Sequence, residues 1–193
     1  MVTALFFGSF NPIHIGHLAL AQYALNSGVA EEVWFVVSPH NPFKSAADLA
    51  PAETRIGMVR MATEGDERMR VEDIETRLPQ PSYTINTLDA LEREYPGREF
   101  VILMGEDNLE GLVGWREAER LIGGRTFVVY PRLGVEADGR KVEAMRGKVV
   151  RLDAPRIEIS STQIRRWIGE GKRVRHFVPD QVVEMAEKIY RRG

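Results

Sequence analysis

The chain begins with the apolar run Val2 to Phe7 (VTALFF), which Gly8 ends. A nearly continuous apolar run of this length is typical of a strand buried on both faces of a parallel sheet. An amphipathic helix with Leu18 and Leu25 on one face follows, and Glu32 to Val37 (EVWFVV) is a second apolar run. The order of strand, helix and strand predicts a parallel sheet in which the first run is the central strand.

The same alternation continues to the end of the chain. The later predicted elements are a helix from Pro51, a strand from Met69 to Ile74, a helix ended by Pro96-Gly97, a strand from Glu99 to Met104, a short helix from Trp115 to Ile122, strands from Thr126 to Tyr130 and from Lys148 to Leu152, a helix from Ser161 to Gly169, and a last helix after Pro179. We therefore predict a Rossmann-like α/β fold with an open, mostly parallel sheet and helices on both faces. The length predicts one domain over residues 1–193, in which the carboxyl-terminal helices, about residues 160–193, pack on the core.

Composition narrows the classes of function. The 26 basic and 28 acidic residues leave a formal net charge of -2, which argues against a nucleic-acid partner. Cysteine is absent, so disulfides, thiolate nucleophiles and thiolate metal sites are excluded. No apolar run is long enough for a membrane span and no basic leader precedes the first strand, so we expect a cytoplasmic protein without a membrane partner.

The turn after the first strand carries the residues suited to binding phosphate. It runs through Gly8, Ser9, Phe10, Asn11 and Pro12, and His14 and His17 follow three residues apart. A helix that begins near these histidines offers backbone N–H groups and a favourable dipole to an anion. The alternative is an ordinary strand-to-helix turn in which the two histidines are surface or core residues. A metal site is disfavoured because no carboxylate nearby completes a ligand set, and the dinucleotide fingerprint of oxidoreductases is missing.

A second anion site is predicted near the carboxyl terminus. Ile159-Ser160-Ser161 leads into a helix on which Arg165 lies one turn after Ser161, so the hydroxyl and the guanidinium share one face. The alternative is that Ser160 and Gln163 merely form a capping box at a helix start.

These two segments resemble the signatures of one superfamily, the HxGH nucleotidyltransferases. His14-Ile15-Gly16-His17 matches the HIGH signature, and the segment from Ile159 to Arg165 is similar to the ISSTxIR motif that closes over ATP phosphates. Many members have two glycines in the lead-in, whereas Phe7 precedes Gly8 here. The resemblance implies the following ATP-binding residues: Gly8, Ser9, Phe10, His14, His17, Gly105, Asp107, Ile159, Ser160, Ser161 and Arg165.

Within the superfamily, four further features resemble bacterial nicotinate-nucleotide adenylyltransferase. They are a polar loop with Asn41 and Lys44, the segment Ser82-Tyr83-Thr84, the Gly105-Glu106-Asp107 turn and Trp115. The resemblance implies a mononucleotide site made of Asn41, Lys44, Ser82, Tyr83, Thr84 and Trp115. Arg116 stands where the family has a second aromatic residue. Each feature has a structural alternative: a solvated lysine, a helix cap formed by Thr84, a simple turn, and a core tryptophan.

The resemblance implies an enzyme that transfers AMP from ATP to nicotinate mononucleotide, with His14, His17, Lys44 and Arg165 as catalytic residues. Magnesium would accompany ATP, with no metal site built from protein side chains. Several alternatives stay open: nicotinamide mononucleotide as acceptor, dual specificity, a phosphopantetheine adenylyltransferase, and an ATP-binding regulatory module without catalysis. The oligomeric state is also open, with the helix faces near Trp167 and Arg191 as candidate surfaces for a homo-oligomer.

Overall fold

The structure is a computed structural model that describes residues 1–39 and 49–191. In this part of the chain six parallel strands form one sheet in the order β3-β2-β1-β4-β5-β6. The strands are β1 Val2–Gly8, β2 Glu32–Val37, β3 Met69–Glu72, β4 Glu99–Gly105, β5 Thr126–Tyr130 and β6 Lys148–Arg151. The helices are α1 Ile15–Asn26, α2 Ala52–Thr63, α3 Thr84–Glu94, α4 Glu106–Gly111, α5 Ala118–Ile122, α6 Arg140–Ala144, α7 Ser161–Gly169 and α8 Asp180–Tyr190.

The prediction of an open parallel sheet with helices on both faces is confirmed. One core packs α1, α2, α7 and α8 against the sheet face that carries Phe6, Phe35 and Val128. The opposite core packs α3 to α6 against the face that carries Leu5, Trp34 and Phe127. Because side chains alternate along a strand, adjacent residues of β1 enter different cores. Burial on both faces explains why the central strands β1, β2, β4 and β5 read as nearly continuous apolar runs, whereas the partly exposed edge strands β3 and β6 do not.

The sheet reverses its strand order between β1 and β4, and this position locates the site. β1 pairs with β2 on one side and with β4 on the other, so the loops after β1 and β4 diverge to opposite faces of the sheet. In open α/β sheets a crevice forms at such a switch point, at the carboxyl ends of the strands. The loop from Ser9 to His14 and the turn at Gly105 both lie at this edge.

Two local predictions were wrong. The strand from Met69 ends at Glu72, and residues 74–77 form a 3₁₀ turn instead. The short helix begins at Ala118, because Trp115 is in extended conformation. The polar segment from Gly134 to Gly147, for which the sequence predicted no element, contains α6, which buries Val142. The structural alternative of a helix cap formed by Thr84 does not apply: Thr84 is the first helical residue, Tyr83 has the capping position, and no side chain there makes the capping hydrogen bond.

Within the described residues, no helix combines the length and the apolar character that a membrane span needs.

Candidate active site

Two adjoining cavities open at the carboxyl edge of the sheet. The smaller cavity, about 380 Å³, is bounded mainly by the start of α1 and the start of α7. The larger cavity, about 710 Å³, is bounded by the ends of β1 and β4, the start of α3 and the segment around Trp115. Of the residues that the structure describes, five line both cavities and are called the shared wall: Ser9, His17, Tyr130, Arg132 and Ser161. A group bound in one cavity therefore meets a group bound in the other at these residues.

The turn after β1 is shaped by packing as well as by ligand access. Phe10 has a φ of +44° and is only 1% exposed, with its ring against Phe6, Phe35 and His17. A side chain at Gly8 would lie 2.8 Å from the Phe10 ring, so glycine is needed there for Phe10 to fold inward. Gly8 and Phe10 both border the larger cavity rather than the smaller one. We conclude that the buried ring of Phe10 stabilises the turn by packing in the core.

The two histidines are stacked, as their spacing predicts. Their ring centroids are 3.6 Å apart at an angle of 19°, and the backbone N–H of His14 donates to Nδ1 of His17 at 3.2 Å. His17 must then carry its proton on Nε2, so its ring is a hydrogen-bond donor on that side. A side chain at Gly16 would lie 3.1 Å from Nδ1 of His14, which explains the glycine between the two histidines.

His14 is neutral in the folded protein. It is 5% exposed, and burial, assisted by the charge of Arg132, lowers its pKa from 6.5 to about 3. Among the described residues its Nδ1 has no hydrogen-bond partner. The neutral ring can donate or accept one hydrogen bond at this atom, but it brings no positive charge to the site.

The start of α1 offers fewer backbone donors than the sequence suggests. The N–H of His14 is used by His17, and the N–H of Ile15 donates to the carbonyl oxygen of Phe177 at 3.0 Å. The N–H of His17 also has an acceptor, the carbonyl oxygen of His14 at 2.9 Å. The anion site predicted here therefore depends mainly on side chains.

The start of α7 is tied directly to the turn after β1. Ser161 Oγ donates to the carbonyl oxygen of Pro12 at 2.9 Å, and Arg165 Nη1 donates to that of Asn11, also at 2.9 Å. The Asn11 side chain continues the connection, because its Oδ1 accepts from Tyr190 Oη at 2.6 Å and from the Ala50 N–H at 3.1 Å. The two predicted anion-binding motifs thus form one bonded unit. Ser160 also caps α7, since its Oγ accepts from the Gln163 N–H.

Arg55 supports this unit from inside the protein. It lies on α2, is 1% exposed, and donates to four carbonyl oxygens, those of Ser9, Ser38, Pro39 and Ala50, at 2.7 to 2.9 Å. Burial lowers its pKa. The guanidinium joins the turn after β1 to the end of β2, so it holds two sides of the site at a fixed separation. We regard it as a positioning residue.

Arg132 places a positive charge between the two cavities. It follows β5 and lies in the shared wall, where its Nε is 3.6 Å from Oδ1 of Asp107. Its guanidinium is 5.4 Å from the centre of the Tyr130 ring. A cation at this point can interact with phosphate groups from either cavity.

Another part of the larger cavity, outside the shared wall, has a different character. Ser82, Tyr83, Thr84, Trp115 and Arg116 line it and are called the far end; none of them borders the smaller cavity. Glu75 also lines the larger cavity, is 1% exposed, and accepts a hydrogen bond from Thr87 Oγ1 at 2.8 Å. Burial raises its pKa, although the hydroxyls of Thr87, Ser82 and Ser38 act in the opposite direction.

The structure brings most of the predicted site residues together. His14, Ile159, Ser160 and Arg165 line the smaller cavity, and Ser9, His17 and Ser161 line both. Asp107 borders only the larger cavity of the two, and Gly105 borders neither. Asn41 and Lys44 lie outside the described residues.

Sequence reasoning missed four residues that the structure brings into the site. Arg132 comes two residues after Tyr130, at the carboxyl end of β5. Asp107 was predicted because it follows the carboxyl end of a strand, where ligands bind in open α/β sheets, and the same argument would have predicted Arg132. Arg55 precedes Ile56 and lies one turn before Val59, within the buried stripe of α2. The other two are Glu75 and Tyr190, and no local pattern marks either.

Comparisons with known proteins agree with this geometry. The model of the cytidylyltransferase-like family matches residues 5–167. The chain belongs to this family. It is 49% identical to a Bacteroides fragilis protein named probable nicotinate-nucleotide adenylyltransferase, over 91% of this chain and 86% of that protein. It is 42% identical to a Flavobacterium johnsoniae protein of the same name, over 95% of each. The resemblance to the nicotinate-nucleotide adenylyltransferases is confirmed, and this member of the cytidylyltransferase-like family is a nucleotidyltransferase.

Solved structures confirm the fold of this cytidylyltransferase-like protein. The nicotinic acid mononucleotide adenylyltransferase of Plasmodium falciparum, in complex with NaAD, superimposes with a TM-score of 0.81 at 19% identity, over 98% of this chain and 97% of that one. A putative nicotinate-nucleotide adenylyltransferase from Vibrio parahaemolyticus gives a TM-score of 0.67 at 19% identity, over 96% of this chain and 97% of that one. At this identity the likeness concerns the fold.

Proposed function

We propose that the protein transfers AMP from ATP to the 5′-phosphate of nicotinate mononucleotide, giving deamido-NAD and pyrophosphate. The relatives that cover most of the chain are named for this activity. The observation that carries the proposal at the level of residues is the shared wall. Two cavities meet at Ser9, His17, Arg132 and Ser161, which are groups that suit phosphate.

In this proposal the triphosphate of ATP lies in the smaller cavity, beside the starts of α1 and α7. The mononucleotide lies in the larger cavity with its phosphate at the shared wall and its pyridine at the far end, beside Tyr83 and Trp115. Aromatic side chains suit a planar ring, and the polar groups suit phosphate. This orientation brings the two reacting phosphates together.

The transfer is an in-line displacement at the α-phosphorus of ATP. A phosphate oxygen of the mononucleotide forms the new P–O bond, and the bond from the α-phosphorus to the oxygen of the leaving pyrophosphate breaks. The attacking phosphate is already ionised, so the protein mainly positions the reactants and stabilises developing charge. We assign that stabilisation to the Nε2–H of His17 and to the guanidinium of Arg165, with Lys44 as a further cation.

Arg132 joins this set of residues. Its place in the shared wall fits a role at the phosphates of both substrates. The neutral state of His14 limits that residue to hydrogen bonding and to holding His17 in register through the stacked rings.

Magnesium enters the proposal as part of the substrate Mg-ATP. Within residues 1–39 and 49–191, no three His, Asp or Glu side chains converge on one point. Phosphate oxygens and water would therefore supply the ligands of the ion, which suits the coordination that magnesium prefers. ATP and nicotinate mononucleotide are the only partners that the proposal requires, and we retain the cytoplasm as the expected compartment.

The experiment is pyrophosphate release by the purified protein with Mg-ATP and three alternative acceptors. We expect release to depend on the acceptor and to be fastest with nicotinate mononucleotide. Faster release with nicotinamide mononucleotide or with phosphopantetheine would contradict the substrate assignment. Absence of release with every acceptor, together with an ATP-dependent rise in Tm, would indicate a binding module instead.

A further inference from the structure

Arg116 lies at the end of the larger cavity where the pyridine is placed by the proposed function. The shared wall receives the phosphates, and Arg116 is absent from it. A mononucleotide with its phosphate at the shared wall directs its base into the part of the larger cavity outside that wall, and the far end, with its aromatic side chains, belongs to this part. The groups of the far end therefore meet the substituent that distinguishes one pyridine nucleotide from another.

The Arg116 guanidinium is held in place without being buried. Its carbon Cζ lies 4.6 Å from the centre of the Tyr83 ring, and its side chain is 55% exposed. Stacking on an aromatic ring fixes the plane of a guanidinium while leaving its N–H donors at the edge free to form hydrogen bonds in that plane. Arg116 also follows Trp115 directly, so the two side chains border the same part of the cavity.

The charges around the larger cavity leave this end positive. Apart from His17, the ionisable acids and bases with side chains that line it, among the described residues, are Glu75, Asp107, Tyr83, Tyr130, Arg116 and Arg132. Asp107 faces Arg132 at 3.6 Å, whereas Arg116 is 3.9 Å from the exposed Glu117. Glu117 also forms an ion pair with Arg120, in which Oε2 of Glu117 lies 3.2 Å from Nη1 of Arg120. The burial of Glu75 favours its uncharged form, so this acid opposes an incoming anion less than an exposed carboxylate would.

We infer that Arg116 is a specificity-determining residue, with a guanidinium that binds the carboxylate of nicotinate mononucleotide and so selects it over the carboxamide of nicotinamide mononucleotide. The inference rests on the proposed function. A carboxylate accepts charge-assisted hydrogen bonds from the planar fork of an arginine, whereas a carboxamide offers one neutral oxygen and two N–H groups that a guanidinium cannot accept.

The test compares kcat/KM for both pyridine mononucleotides in the wild type, Arg116→Gln and Arg116→Lys. Arg120→Gln is the matched control, because Arg120 is a similarly exposed arginine near Glu117 and borders neither cavity. We expect Arg116→Gln to lower kcat/KM for the nicotinate substrate by about 10- to 100-fold, with a much smaller change for the amide. Arg116→Lys should retain part of the preference, and Arg120→Gln should retain all of it.

Two outcomes would overturn the inference while leaving the proposed function intact. An equal loss with both substrates would mean that Arg116 contacts the phosphate or supports the fold. An unchanged preference in Arg116→Gln would mean that the carboxylate is bound elsewhere. A wild type that adenylylates neither pyridine nucleotide would refute the proposed function, and with it this inference. The KM for ATP, expected to stay constant, and the far-UV circular dichroism of each variant distinguish a local effect from misfolding.

Discussion

The smaller and the larger cavity are built in different ways. Around the smaller cavity, hydrogen bonds connect α7, α8 and α2 to the turn after β1. Asn11 accepts several of these bonds, and Arg55 donates others. The far end of the larger cavity instead combines a helix start that lacks a side-chain cap, an extended segment at Trp115 and a half-exposed arginine on an aromatic ring. The chemistry is thus placed on a rigid frame, whereas recognition of the base is placed on short segments from separate parts of the chain.

This difference has a physical rationale. Transferring a nucleotidyl group needs donors that are already oriented before the charge develops, and a bonded frame provides that orientation. Selecting a base needs only a few groups that differ in affinity between competing substrates. Changes in the frame should therefore affect all acceptors alike, whereas changes at the far end should affect them differently.

The largest effect is expected at the shared wall. We expect His17→Ala to lower kcat about 30- to 1,000-fold, which corresponds to about 2–4 kcal/mol, by analogy with the loss of one oxyanion donor. The loss should be equal for every acceptor that the enzyme uses. Steady-state kinetics measure it, and thermal unfolding checks that the protein stays folded. Wild-type turnover in a folded His17→Ala protein would remove His17 from the mechanism.

Arg55→Lys tests the frame itself. Lysine keeps the charge but cannot reach four carbonyl oxygens at once, so buried acceptors lose their partners. We expect the free energy of unfolding to fall by about 3 kcal/mol. Urea denaturation measures the change, and Arg60→Lys, on the exposed side of the same helix, is the control. If both variants lose the same small amount, the buried guanidinium does not hold the site together.

His14 at the smaller cavity and Glu75 at the larger one are both buried, and these two groups should respond to pH in opposite directions. The pKa of His14 is lowered to about 3 in the native protein. Below pH 6.5 the unfolded chain therefore binds a proton at this residue that the native protein does not bind. Native stability is then lost as the pH falls, by about 2 kcal/mol at pH 5. The pKa of Glu75 is raised above 4.5, so the unfolded chain releases a proton first and stability is lost as the pH rises.

Urea unfolding between pH 4.5 and 8 checks both signs. Relative to wild type, His14→Asn should gain stability as the pH falls, and Glu75→Gln should gain stability as the pH rises. Parallel curves for the three proteins would show that neither group is buried in the uncharged form.

The smallest effect is expected at the end of α8. Tyr190→Phe removes one hydrogen bond to Asn11, which keeps its bond from Ala50. We expect a loss of about 1 kcal/mol in stability and a modest rise in KM for ATP with no change in KM for the acceptor. A rise in KM for the acceptor alone would mean that Asn11 supports the acceptor site and not the ATP site.

How much the sequence predicts follows the same division between the two regions. The four central strands were predictable because burial on both faces makes them nearly continuous apolar runs. The smaller cavity was predictable because its histidines and its Ser161 and Arg165 lie in two contiguous segments. The far end depends on where α3, Trp115 and the 3₁₀ turn meet in space. The stacking of Arg116 on Tyr83 joins residues distant in sequence, so no local pattern could reveal it.

The central claim is that AMP passes directly between substrates that meet at the shared wall. Incubation with ATP labelled with ³²P at the α-phosphate, Mg²⁺ and nicotinate mononucleotide tests it most directly. We predict that the label appears in a dinucleotide with the properties of deamido-NAD, in amounts equal to the pyrophosphate released, and that none is retained on the denatured protein. Label covalently attached to the protein, or pyrophosphate release without a labelled dinucleotide, would contradict the account.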